Sequence, residues 1–464
     1  MTRGVDRATG LLLLLGLGAA VALCLLMPAA PKIVTDSPLY LQFSGIVPAG
    51  YPLFVALFGL SHLVQVQLAL LAGAATLLAA IVQRVFRSLL LSVAILIAML
   101  GNPQILDFQR SVVSEALFIP IDIVLLAVLL LYLDTRRPGL ALSCAVLAGV
   151  GVATRPITFP LVVAVLIVVL LRERSDWRRA VYLTLACAIA WIGVVGGEKA
   201  YSRWRQGDQL TSLTGLHLYA KASLIDAPPI DRRGLTVVER RLADAMETRY
   251  EPVRVLLARS RGSVAYQAML AHYEICIQRD CTRTLRAQSG MTDTAFNDAM
   301  RHVGWLRVKE NPLDYMRLAL EEFRSLWMVS SRTHPWRAQA FDAYIAARRP
   351  LPLEGEVNAS LTEPTVPSTV AFFVRPAIIA AGMATAAMIL IFGWLLAFGR
   401  RGDVAMLAAL GCALMTEFVF VFTSVAGVGD GRYTMGMWPN MACGVLLGMF
   451  VTVRAAARWQ SGRT

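Results

Sequence analysis

Long apolar runs dominate this chain and leave few folds open to it. A helix needs about 20 apolar residues to cross a hydrocarbon core. Runs of that kind, or somewhat shorter, occupy residues 11–29, 62–83, 88–101, 112–133, 139–154, 156–171, 180–197, 371–398, 403–425 and 435–453. They predict an all-α polytopic membrane protein with about ten transmembrane helices. The runs at 88–101, 139–154 and 156–171 are short and suit tilted, kinked or enclosed helices. Only 16% of the 464 residues are charged and 57% are apolar, against roughly 25% charged in a soluble domain. That balance excludes an ordinary soluble enzyme, a disordered chain and a DNA-binding module. Arg3 and Arg7 precede the first run as they would in a signal peptide. Its apolar stretch is longer than the roughly 7–15 residues of a signal core, so we read it as a retained span.

The formal charge of +13 suggests nucleic acid at first sight, but its distribution does not. Residues 198–370 hold 24 Lys/Arg and 20 Asp/Glu, a nearly balanced, solvated stretch. The chain therefore divides into an N-terminal membrane module at 1–197 with about seven spans, a mostly helical domain at 198–370, and a C-terminal module at 371–464 with about three spans. One set of connections, with both termini, carries 15 basic residues: Arg3, Arg7, Arg84, Arg87, Arg136, Arg137, Arg172, Arg174, Arg178, Arg179, Arg400, Arg401, Arg454, Arg458 and Arg463. The opposite short connections carry five: Lys32, Arg110, Arg155, Arg375 and Arg432. Positive charge collects on the cytoplasmic side. Both termini are thus expected in the cytoplasm, and the 198–370 domain on the far side, which is the periplasm in a bacterium. The lipid bilayer is a partner by this reading, and nucleic acid is not.

The insert has its own local signals. Thr236-Val237-Val238-Glu239 is a capping-box pattern. Asn311-Pro312 opens another helix, with Asn as cap and Pro in the first turn. Behind it Leu313, Met316, Leu320, Phe323 and Trp327 recur at spacings of three and four, one apolar helix face expected to pack against the membrane module. Segment 349–368, rich in Pro and polar residues, reads as a loop or lid. Asn358-Ala359-Ser360 matches a glycosylation sequon by pattern. Cys276 and Cys281 could close a small disulfide loop in an oxidising compartment or remain two thiols. No Cys/His spacing fits a zinc site, and no metal is expected. No internal repeat and no paired, interrupted helices of an inverted-repeat transporter are visible.

Ionisable residues in or beside spans are costly and are functional candidates for that reason. Asp36, Asp107, Glu115 and Asp430 fall at the outer face, with Arg110, Arg155 and Arg432. Asp122 and Glu417 lie inside runs. In Asp36-Ser37-Pro38-Leu39-Tyr40 the carboxylate could serve as a general base or simply cap a turn. Glu115 opens a span, where a helix dipole favours an acid and Ser111 or Ser114 could cap; it could also be a second acid near Asp36. Arg155, in Thr154-Arg155-Pro156, could grip a phosphate or snorkel to the membrane surface. Gly427 to Tyr433 forms a glycine-rich turn carrying Arg432 and Tyr433. As a phosphate cradle it is weak, since no strand precedes it.

The order of these features resembles the type C glycosyltransferase superfamily. The matching positions are Asp36 with Ser37-Pro38-Leu39-Tyr40, Gly50-Tyr51-Pro52, Ser114-Glu115-Ala116-Leu117-Phe118, Gly151 through Arg155-Pro156, Asn311-Pro312 with Tyr315, and Arg432-Tyr433 with Pro439. The resemblance covers most of the membrane module and is most similar to the protein-mannosyltransferase and aminoarabinose-transferase branch. It implies an enzyme of the bacterial inner membrane with its site at the periplasmic face. That enzyme would move a sugar from a polyprenyl-phosphate donor to a cell-envelope acceptor, with inversion. Asp36 would be the base and Glu115 a partner acid. Tyr40, Arg110, Arg155, Lys221, Arg432 and Tyr433 would bind donor phosphate or substrate, with no cofactor. Many relatives carry an acidic pair where this chain has Asp36 followed by Ser37.

Two other classes compete. An O-antigen ligase or polymerase would rely on loop arginines rather than an Asp near the first span. A lipid-linked glycan flippase or transporter would want ionisable groups near mid-membrane, and here Asp122 and Glu417 are the ones available.

Overall fold

The computed structural model describes residues 7–34, 36–206, 213–259, 269, 272, 276, 282–327, 368–397, 403–426 and 431–461. Among them every regular element is helical. An isolated bridge joins Lys32 to Ser111. The first part runs α1 (Arg7–Leu26), α2 (Ser37–Leu41), α3 (Gly50–Phe86), α4 (Leu89–Leu100), α5 (Pro103–Gln109), α6 (Glu115–Thr135), α7 (Pro138–Thr154), α8 (Leu161–Glu173) and α9 (Trp177–Gln206). Then come α10 (Thr214–Ala222), α11 (Val237–Arg249), α12 (Glu251–Arg259), α13 (Arg283–Ser289), α14 (Asp293–Glu310) and α15 (Pro312–Trp327). The chain ends with α16 (Ser368–Ala397), α17 (Val404–Ala426), α18 (Gly431–Gly436) and α19 (Trp438–Ser461).

Among the described residues, seven helices are long and apolar enough to cross a bilayer, or eight if α4 and α5 form one span bent by 54°. This is a multi-pass helical membrane protein. Two of the expected spans are short for reasons visible in the backbone. α4 has 12 residues, and Asn102 then starts a new helix, its Oδ1 accepting the Gln104 N–H at 3.0 Å. α7 has 17 residues and stops at Arg155, which is extended (φ −152°, ψ 107°). Pro156 follows, and the residue before proline is pushed out of the helical region. α3 is 37 residues long, about 55 Å at 1.5 Å per residue, far more than a bilayer needs. It breaks at Gly59 (φ 65°, ψ 163°), a conformation open to glycine at little cost.

Contacts divide the chain into two compact units: residues 1–205, 379–419 and 435–464, and residues 206–378 and 420–434. In the first unit α3 packs on α1, α4 and α6, α6 on α7, and α19 on α4. Polar side chains pin these helices. Trp438 Nε1 donates to the Ala98 carbonyl at 2.8 Å. Asn440 Nδ2 donates to Asp122 at 2.6 Å, and Thr385 Oγ1 donates to Glu417 at 2.8 Å. Both acids inside the spans are therefore bonded to a neighbouring helix.

The second unit has a core including Leu216, Tyr219, Leu242, Met246, Phe296 and Val303. α10 lies against α14 closely enough that a Cβ at Gly215 would sit 1.9 Å from the Asn297 carbonyl oxygen. The capping box at Thr236 and Glu239 forms as expected. Asn311 caps α15, its Oδ1 accepting the Asp314 N–H at 3.1 Å. Burial opposes ionisation of Glu239, but hydrogen bonds from His302 and Thr236 outweigh it and hold the carboxyl below its usual range. Cys276 is disulfide-bonded, and the five other described cysteines are free thiols. Cys281, the sequon at Asn358, the Pro-rich stretch up to residue 367 and the glycine turn through Asp430 lie outside the described residues.

The apolar stripe of α15 is divided: Phe323 and Trp327 are half-buried, and the Trp327 ring packs on Phe420. Leu313, Met316 and Leu320 are 81%, 56% and 48% exposed, while Tyr315, Leu318, Ala319, Glu322, Ser325 and Leu326 are buried. The buried face carries an ion pair. The Lys221 ammonium lies 2.6 Å from the Glu322 carboxylate, each side chain 1% exposed, and it also donates to the Ser424 carbonyl. A carboxylate buried in this way needs its cation, and the pair holds Glu322 on the inward face of the helix.

One titration prediction arises here. Burial first, and the Lys221 charge second, depress His217 to about 4. Between pH 6.5 and 4 the unfolded chain binds a proton that the folded chain refuses. Stability is full above pH 6.5 and falls as pH drops through that window, by up to about 3 kcal/mol at 1.36 kcal/mol per unit. The half-buried setting of the ring lowers that ceiling. Thermal unfolding of the detergent-solubilised protein should show this slope, and His217→Gln should flatten it.

Candidate functional site

The connection between α1 and α3 is tied along its length to the segment before α6. Lys32 N–H donates to the Arg110 carbonyl at 2.7 Å and Val112 N–H to the Lys32 carbonyl at 3.0 Å. The Lys32 ammonium meets Asp107 at 3.1 Å. Ser37 Oγ accepts the Val34 N–H at 2.8 Å and donates to the Val112 carbonyl at 3.0 Å. α2 is thereby held against the start of α6, although five residues make no stable helix alone.

A chain of polar groups runs inward from α2. Tyr40 OH donates to Ser114 Oγ at 3.1 Å, and Ser114 donates to Glu115 Oε2 at 3.3 Å. Glu115 Oε1 lies 2.7 Å from Arg155 Nη1, with side chains 0% and 8% exposed. Beside it Tyr40 stands edge-on to Tyr51, centroids 5.0 Å apart. Tyr51 OH donates to Gln67 Oε1 at 2.9 Å, and Gln67 Nε2 donates to the Gln109 carbonyl at 2.7 Å. Gly50 is needed for this convergence. A Cβ there would lie 2.6 Å from the Ala153 carbonyl oxygen and 3.2 Å from Thr154 Oγ1. Four short sequence motifs, around Tyr40, Gly50-Tyr51, Ser114-Glu115 and Thr154-Arg155, thus meet in one place.

Several alternatives left open by the sequence are resolved. Asp36 occupies the N-cap position of α2 but its carboxylate makes no capping hydrogen bond. It is half-buried. Ser114 sits at the N-cap of α6 without capping it; its hydroxyl links Tyr40 to Glu115 instead. Arg155 does not snorkel but is enclosed with Glu115. Glu115 is therefore ion-paired within the fold.

The expected site residues are shared between the units. Asp36, Tyr40, Arg110, Glu115 and Arg155 belong to the first, Lys221, Arg432 and Tyr433 to the second. Lys221, expected to bind phosphate, is enclosed with Glu322, so an incoming anion would have to displace a buried carboxylate. Arg432 and Tyr433 are half-buried in α18. Arg110 is half-buried at the end of α5, and its Nε is buried with no hydrogen-bond partner.

Sequence reasoning missed a set of amides. Asn102, Gln104 and Gln109 are 4%, 4% and 0% exposed. Among the described residues, Asn102 Nδ2, Gln104 Oε1 and both terminal atoms of Gln109 have no hydrogen-bond partner. Each unpaired buried polar group costs about 1–3 kcal/mol, so such a set calls for an explanation. The 12-residue α4 rises about 18 Å, well short of a core about 30 Å thick. Irregular polar backbone at such depth is tolerated where it is enclosed by protein or lines a wet cavity. The signal was available: Asn102-Pro103-Gln104 interrupts an apolar run, and Gln67 sits within another.

Among the described residues no group of three or more His, Cys, Asp or Glu could hold a metal ion. No protein-family model, curated protein or solved structure matches this chain.

Proposed function

We propose that the protein is a membrane glycosyltransferase of type C character, moving a sugar from a polyprenyl-phosphate donor to a cell-envelope acceptor. The observation that carries this reading is the convergence of Tyr40, Tyr51, Glu115 and Arg155, drawn from four separated motifs, beneath a loop that bears Asp36. Asp36 acts as base. It takes the proton of an acceptor hydroxyl or amine as that group attacks the anomeric carbon from the face opposite the phosphate. The bond from the anomeric carbon to the phosphate oxygen breaks, the sugar inverts, and polyprenyl phosphate leaves with the electron pair.

A cation must meet the charge that grows on the leaving phosphate. Arg155 and Lys221 are each enclosed with a carboxylate, so Arg110, with its unpartnered Nε–H, takes that role in the first unit. The amides of Asn102, Gln104 and Gln109 can both donate and accept, which suits sugar hydroxyls. The active face is the one opposite the Arg-rich connections, hence periplasmic with both termini cytoplasmic. The disulfide at Cys276 fits that oxidising side.

The test uses washed membranes carrying the chain, polyprenyl phosphates bearing radiolabelled hexose or pentose, and crude envelope as acceptor. Label should move from the lipid to an acid-stable envelope product only where the chain is present. If no such donor yields product while the protein is folded and inserted, the reading fails.

A further inference from the structure

The outward stripe of α15 lies where a bilayer surface must be. α17 has 23 residues, about 34 Å of helix, against a core about 30 Å thick. Phe420 lies about 9 Å along the axis below the helix end at Ala426. Even with all the excess length at that end, Phe420 is about 5 Å inside the hydrocarbon. The Trp327 ring, at the last residue of α15, meets the Phe420 ring with centroids 4.7 Å apart. Nearer the start of α15, Tyr315 OH donates to the Val425 carbonyl, and the Leu326 carbonyl accepts from Thr434 Oγ1 at 2.8 Å. α15 therefore descends along the end of α17, entering at headgroup level and finishing below it.

Along its apolar stripe Leu313, Met316 and Leu320 are all about half exposed or more, while Trp327 at the end turns to Phe420. Arg317 and Arg324 stand at the edge of this stripe, 45% and 57% exposed and ion-paired to Asp314 and Glu321. Apolar residues at spacings of three and four with a charged border form the pattern of an interfacial helix. We propose that α15 is a bilayer-embedded interfacial helix, with Leu313, Met316 and Leu320 in contact with phospholipid at the boundary of headgroups and acyl chains. The ion pair between Lys221 and Glu322 fixes its rotation. This rests on the spans and not on the glycosyl-transfer reading.

The experiment places an environment-sensitive nitrobenzoxadiazole label on single cysteines introduced as Leu313→Cys, Met316→Cys and Leu320→Cys. The background carries Cys24→Ser. The full-length protein is reconstituted into phosphatidylethanolamine and phosphatidylglycerol vesicles. Asp231→Cys, at a side chain 59% exposed, gives the aqueous reference. All three stripe positions should show blue-shifted emission, strong quenching by phospholipids bearing an acyl-chain nitroxide, and weak quenching by iodide; the reference should show the reverse. Stronger quenching by iodide than by lipid nitroxide at the stripe overturns the proposal. So does protection from both, which would mean that another segment or a second copy covers the face. The three positions are read separately, so one variant that fails to fold leaves the other two decisive.

Discussion

Replacing Asp36 by Asn should lower transfer by about 10²–10⁴-fold, the range over which a positioned general base contributes, with little change in expression or thermal unfolding. The two halves of that expectation have separate grounds. Asn keeps the size of the side chain, and α2 is held by Ser37 and Tyr40 rather than by a capping bond from Asp36. Asn also keeps a side-chain oxygen that can accept hydrogen bonds, whereas the proposed chemistry needs the ionised carboxylate. Asp107→Asn is the matched control. Its partner is Lys32 at 3.1 Å in a pair with side chains 43% and 23% exposed, and such pairs are worth about 0–1 kcal/mol. Transfer in that variant should fall by less than about tenfold. A variant lacking Asp36 that transfers at the wild-type rate would remove Asp36 as the base.

The second large effect is on stability. Arg155→Met should destabilise the protein by about 3–5 kcal/mol, because it takes the guanidinium from a carboxylate that is fully enclosed. Glu115→Gln removes the charge but keeps the shape and the neighbouring Ser114 hydroxyl, and should cost less. The combination of Arg155→Met with Glu115→Gln should be more stable than Arg155→Met alone, since no buried charge is then left uncompensated. A double-mutant cycle on thermal unfolding in detergent reads the coupling directly. Additive effects of the two substitutions would mean that the 2.7 Å contact carries no energetic weight.

Much of this architecture was legible in the sequence because its causes are local or summed along the chain. A run of apolar residues long enough to cross a bilayer excludes other folds by desolvation alone. The caps at Thr236 and Asn311 need only their neighbours within one turn. The break at Arg155-Pro156 follows from proline sterics. The residues around the candidate site were also nameable, since an ionisable group beside a span is rarely there by chance.

What the sequence left open was which of those groups already has a partner, and this was decided by contacts between distant segments. Arg155 reads equally as phosphate ligand or snorkel until Glu115 is found 2.7 Å away. Lys221 reads as a cavity lysine until Glu322, about a hundred positions later, is buried against it. α15 is another case: periodicity located its apolar stripe, but only the structure shows that Leu313, Met316 and Leu320 stay exposed while Glu322 is buried against Lys221. The amides of Asn102, Gln104 and Gln109 likewise look unremarkable as letters. Only enclosure without partners makes them a question, because the cost of a polar group depends on what surrounds it in space. The sequence by itself determined that this is a helical membrane protein with its arginines gathered in alternate connections, while tertiary structure alone determined which charges are paired within the fold.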